Sequence, residues 1–144
     1  MASPGAVKPY MLEAGEGLPE FGPAVKASRL STAGSLTVIE SHTSGGAPWH
    51  VHSREDEYFY VVEGTIIVHC GEETYTAGPR SFVFLPRGIP HAWDVGGEGT
   101  ATLLMMTVPA MLEEFLHEFH AADTSDARDE IAARYGVQFL RDKP

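Results

Sequence analysis

The chain has 144 residues, 43% hydrophobic and 21% charged, a balance that fits one soluble globular domain with a core of its own. A formal net charge of −10 argues against nucleic acid or an anionic membrane surface as partner, because either would need a basic face. The single cysteine, Cys70, excludes an intrachain disulfide scaffold, and no apolar run has signal-peptide or transmembrane length, so a cytoplasmic home is expected.

Residues 1–23 gather many of the prolines and glycines and read as an irregular arm with at most one short strand. Between Ala24 and Val108, short runs rich in Val, Ile, Phe, Tyr and Thr alternate with turn clusters such as "TSGGAP", "CGEE" and "PRGIP". Strands at this spacing, with no helical pattern between them, predict an antiparallel all-β sandwich or barrel.

Within that region "WHVHSREDEYFYVVEG" places His50 and His52 on one face of a strand, with Val51 on the other. Glu57 lies five residues beyond His52, the wrong parity for an uninterrupted strand. A turn over Ser53–Asp56 restores the parity if Glu57 opens a new strand beside the first. Glu55 and Asp56 then read as a solvated hairpin tip. Phe59 and Val61 share the side of Glu57 and form an apolar wall, and a carboxylate on such a face needs a positive partner, for which a metal ion is the obvious choice. His42 and His69 also fall on strands and read as structural. Further on, "PRGIPHAW" delivers His91 from a rigid turn of Pro86, Gly88 and Pro90 onto a strand start, with Trp93 and Val95 on the same face.

After Pro109 the period changes. "PAMLEEFLHEFHAA" sets Leu112, Phe115, Leu116 and Phe119 on one helical face and Glu113, Glu114 and Glu118 on the other. A second helix is expected over "SDARDEIAARYG", closed by Gly136, with "VQFL" as a final extended piece. The helical tail, residues 109–144, is expected to pack on the barrel or on a second subunit. Glu114 and His117 form a Glu-x-x-His pair, but a di-iron bundle needs a second such pair and four helices, so a surface pair is the better reading.

These motifs resemble those of the cupins, small antiparallel jelly-roll barrels with a metal in the lumen. "HVHSREDEYFYVVEG" matches the first cupin motif from His50 through Glu57 to Gly64, with Ser44 standing where the motif has glycine. Pro86, Gly88 and His91 match the second, with Gly78 too far upstream and Val95 in place of the closing Asn. The resemblance implies a single domain over 1–144, with its barrel at 24–108, and the ligand set His50, His52, Glu57 and His91. Such a set suits a divalent transition metal (Fe, Ni, Co, Mn, Cu or Zn) without selecting among them. Phe59, Val61 and Trp93 are the expected substrate pocket, and no Lys or Arg falls on the inward faces, so a sugar phosphate fits poorly and a flat aromatic or enolic molecule fits better.

"EDEYFYVVEG", "FVFLPRGIPHAW" and "AARYGVQFL" resemble single-domain bacterial quercetinase-like dioxygenases, which implies Glu57 as catalytic base. Burial in an apolar lumen would favour that role by raising its pKa. A cupin-type aromatic polyketide cyclase and a non-catalytic metal- or small-molecule-binding barrel are the alternatives. Many cupins of this kind pair, so a homodimer is expected.

Overall fold

The computed structural model describes residues 7–97, 99–141 and 143–144. Ten short strands and two helices occur among them. The strands are β1 (Val25–Ala27), β2 (Thr37–Thr43), β3 (Ala47–His52), β4 (Asp56–Glu63), β5 (Ile66–Cys70), β6 (Glu73–Ala77), β7 (Phe82–Leu85), β8 (His91–Val95), β9 (Ala101–Val108) and β10 (Val137–Phe139). The helices are α1 (Leu112–Ala121) and α2 (Ser125–Arg134). No helix among the described residues is long and apolar enough to cross a membrane.

The strands form two five-stranded antiparallel sheets, ordered β1-β2-β9-β4-β7 and β10-β3-β8-β5-β6, the expected jelly-roll architecture. Alternation along each strand decides what fills the space between the sheets. On β4, Phe59 and Val61 are fully buried while Tyr60 and Val62 face out; on β5, Ile66, Val68 and Cys70 are buried. With Leu85, Trp93 and Leu103 these side chains make the barrel core. A second apolar cluster lies outside it, where Leu18, Val25, Ile39, Leu112, Phe115 and Val137 join the arm and the helices to the barrel.

No strand forms among residues 7–23; the chain there runs through turns, and Leu18 N–H donates to the Val25 carbonyl at 2.8 Å. The "VQFL" segment becomes β10, which adds to the barrel beside β3, so the β-structure extends past Val108. Gly136 takes a φ of +73° between α2 and β10, a conformation that closes the helix as its position predicts.

Two acidic residues differ from expectation. Glu113 is 2% exposed, not on a solvent face. Its Oε2 accepts from the Arg29 backbone N–H at 3.0 Å and its Oε1 from the Thr37 hydroxyl, which in turn accepts from Met111 N–H at 2.9 Å. These donors offset the cost of burying the carboxylate and tie the start of α1 to the start of β2. Glu55 is 3% exposed, not at a solvated tip. The reason lies in topology: β3 and β4 belong to opposite sheets, so Ser53–Glu55 is a crossing between sheets rather than the tip of a hairpin. Asp56 does stay near the surface, where Arg87 binds it through the guanidinium at 3.2 Å and the backbone N–H at 2.9 Å.

Candidate metal centre

β3 carries His50 and His52 inward. β8 lies beside it with His91 directly opposite His50 in register. The register shifts between Ala47 and His50, and just before β3 the backbone passes close to β8 at Gly46, where an added Cβ would fall 1.8 Å from the Trp93 carbonyl oxygen. Only glycine fits there. Gly46 lies two residues after Ser44, which stands at the place of the glycine in the first cupin motif. In the second motif its place is taken by Arg80, which adopts a φ of +70°.

Pro86, Gly88 and Pro90 form the expected turn before β8. Gly88 has a φ of +81°, and its N–H donates to the His52 carbonyl at 2.7 Å, fastening the turn to the end of β3. Glu57 arrives from the facing sheet. The parity expectation therefore holds for a different reason from the one anticipated: Glu57 faces the histidines across the barrel, not from a neighbouring strand.

His50, His52, Glu57 and His91 each present a donor atom, all within 4.8 Å of one another, and all four residues are buried. His91 Nε2 lies 3.0 Å from Glu57 Oε1, and His52 Nε2 lies 3.7 Å from the same oxygen. His50 donates from Nδ1 to the Pro48 carbonyl at 2.6 Å, an assignment that follows from the acceptor and leaves Nε2 for the centre. Both ring nitrogens of His52 and Nδ1 of His91 have no hydrogen-bond partner. Buried polar atoms without partners are costly, and His52 Nε2, unpartnered on the side of Glu57 among three other potential ligands, is an atom that a bound cation would satisfy. Three imidazoles and one carboxylate fit a cupin metal site.

The local electrostatics agree. Burial, reinforced by the neighbouring His91 and His52, pushes His50 down to about 4, so its ring is neutral and ready to donate a lone pair. Burial also pulls on His52, but Glu55 and Glu57 outweigh it and raise its pKa. Burial pushes Glu57 up, and the bond from His91 with the charge of His52 reverses this, holding the carboxylate below its usual range. This overturns the expectation of a raised pKa at Glu57, because the imidazoles beside it count for more than the apolar lumen around it.

A cavity of about 290 Å³ opens from the cluster, with His50, His52 and Glu57 in its wall. Of the three expected pocket residues, Trp93 lines it. Phe59 and Val61 do not; they are fully buried in the barrel core, with the Phe59 ring packed edge-on against Trp93 at 5.4 Å. Each inward step along β4 carries the chain roughly 7 Å away from Glu57, which puts these two below the cavity floor. The outer wall comes from the tail instead: Leu112, Phe115, Leu116, Phe119 and His120 of α1, and Phe139 of β10. The apolar face of α1 signals that it packs on something; no feature of its sequence signals that it closes a cavity. Ser41 and Thr43 add hydroxyls from β2, and no Lys or Arg lines the space. His42 and His69 lie away from it, each bonded through Nδ1 to a cross-strand threonine, Thr102 at 2.7 Å and Thr74 at 3.0 Å.

Residues 37–107 match the cupin domain family. No curated protein matches the chain in sequence. Among solved structures, Streptomyces Pac13 with uridine superposes with a TM-score of 0.53 at 17% identity, covering 75% of this chain and 69% of that one. A second structure of Pac13, described as a nucleoside dehydratase, gives 0.52 at 16%, covering 75% and 70%. The TT1209 protein of Thermus thermophilus is 29% identical over 53% of this chain and 74% of its own, with a TM-score of 0.49. The likeness to Pac13 is one of fold.

Proposed function

We propose, from the match of residues 37–107 to the cupin domain family and the site described above, that this chain is a metal-dependent enzyme acting on a compact aromatic or enolic molecule, a dioxygenase of the quercetinase kind. The observation that carries this reading is the convergence of His50, His52, Glu57 and His91 at the end of an apolar cavity. A volume of about 290 Å³ is at the small end for ligand sites and suits a flat ring system. With no Lys or Arg in the lining, an anionic phosphate would be left unpaired there.

A divalent transition metal held by these four residues would supply Lewis acidity toward a substrate oxygen and, if redox-active, a route to dioxygen. The protein's own contributions follow from the geometry. Trp93, Met105 and Phe115 present apolar surfaces against which a planar ring can lie, and α1 with Phe139 keeps bulk water from the buried end. Glu57 accepts the proton released by the substrate hydroxyl.

Elemental analysis of protein purified without chelators, followed by assays on flavonols with and without oxygen, tests this. The expected result is one bound transition metal per site and turnover that stops without oxygen. Turnover of a poly-β-ketone under strict anaerobiosis would replace the dioxygenase by a cyclase. Metal-loaded protein inert toward both substrate panels would leave a binding barrel.

A further inference from the structure

His52 has two carboxylates around it. Glu57 lies on the side of Nε2; on the far side, Glu55 Oε2 lies 3.7 Å from Nδ1. Glu55 is 3% exposed, and this oxygen has no hydrogen-bond partner. An acidic side chain is seldom buried unpaired, because desolvating it costs more than packing returns. Glu55 also takes no part in the cluster of four donor atoms. Its burial therefore calls for a role of its own.

Tautomer chemistry supplies one. For His52 to bind a metal through Nε2, that nitrogen must carry a lone pair, and the ring proton then resides on Nδ1. A buried N–H needs an acceptor. The neighbouring histidine of the same strand shows the pattern already complete, with its Nδ1 bonded to the Pro48 carbonyl at 2.6 Å. At His52, the acid on the side of Nδ1 is Glu55, whose Oε2 at 3.7 Å stands just beyond hydrogen-bond range, a gap that a small side-chain rotation closes.

We propose that Glu55 is the positioning residue of the metal centre: its carboxylate accepts the Nδ1–H of His52, which fixes the tautomer and ring orientation in which Nε2 binds a divalent transition metal. The inference rests on the metal reading and deepens it. Glu55 donates no electron pair to the metal. It acts through the imidazole, as carboxylates behind metal-bound histidines do in general.

The test compares Glu55→Gln, Glu55→Leu and the unchanged protein, using Co(II) and Zn(II) as probes. Affinity is read by chelator competition, the visible spectrum of the Co(II) form reports ligand geometry, and thermal unfolding of metal-free protein reports the fold. Glu55→Leu should bind both ions about 10–100-fold more weakly and alter the Co(II) spectrum. In alkaline buffer, where His52 is neutral and no ion pair with Glu55 is lost, its metal-free form should melt at or above the temperature of the unchanged protein, since a buried carboxylate whose Oε2 lacks a hydrogen-bond partner has been replaced by an apolar side chain. Glu55→Gln retains an acceptor oxygen and should recover most of the affinity.

A merely structural Glu55 would show the reverse, a lower melting temperature with an unaltered spectrum and affinity, and that outcome overturns the proposal. So does equal affinity in all three proteins. Failure of the unchanged protein to bind either ion would overturn the metal reading itself, a result distinct from both.

Discussion

Glu57 and Glu113 are equally well buried, at 3% and 2% exposure, yet their surroundings differ in kind. Around Glu113 every partner is a protein donor already in place: a backbone N–H from Arg29, and the Thr37 hydroxyl relaying to Met111 N–H. Around Glu57 the partners are histidines whose remaining nitrogens are left without bonds, with a second carboxylate behind one of them. A satisfied buried acid holds two elements together. An acid set among orphaned imidazoles leaves unmet bonding capacity that a ligand can fill. The two sites thus separate architecture from function within one small barrel.

The same conservative substitution at both sites should break them differently. Glu57→Gln keeps the side-chain shape but removes the anionic donor, and metal affinity should drop by more than the roughly 100-fold typical of outer partners of a metal site. The stability of its metal-free form should change by no more than about 1 kcal/mol in denaturant unfolding, because no completed network is lost. Equal metal affinity in the two proteins would remove Glu57 from the ligand set. Glu113→Gln should do the converse. Its amide turns a donor toward a donor, so unfolding stability should fall by about 2 kcal/mol while Zn(II) affinity is unchanged.

The smallest effect is one of pH and sharpens the contrast among the histidines. His50, lowered to about 4, is neutral over the whole working range, whereas His52 has its pKa raised above the ordinary histidine value of 6.5. Of these two rings, His52 is the one whose proton competes with the metal. Chelator competition from pH 8 downward should show affinity falling by about tenfold per pH unit once pH passes below the His52 pKa. Affinity that is flat down to about pH 4.5 would remove the imidazoles as joint ligands. The two rings also oppose each other in the stability of the metal-free fold. The contribution of His50 is present above 6.5 and lost as pH falls toward 4; that of His52 is present below 6.5 and lost as pH rises through its raised value.

Much of this was legible in the letters. Period-two alternation identifies β4 and β8 and their inward faces, the Pro-Gly-Pro turn places His91, and the apolar stripe of α1 marks a packed helix. Glu55 shows where such reading stops. In "SREDE" the three acids look alike, yet Glu55 is buried behind His52, Asp56 pairs with Arg87 near the surface, and Glu57 joins the imidazoles. Glu113 escapes for a like reason, since helical periodicity counts it with the polar face, while its donors come from residues about eighty positions earlier.

By itself, then, the sequence determined an antiparallel sandwich or barrel, the inward faces of its strands and the turn that delivers His91, because these follow from local backbone periodicity and turn chemistry. Its motifs, through their resemblance to those of the cupins, implied the jelly roll and the set His50, His52, Glu57 and His91. Only the tertiary structure decided that β3 and β4 lie in opposite sheets, that Glu55 stands behind His52, and that α1 and Phe139 wall the cavity in place of Phe59 and Val61. Those are relations between segments distant in sequence or crossing between sheets, and the packing that creates them leaves no periodic trace in any one segment.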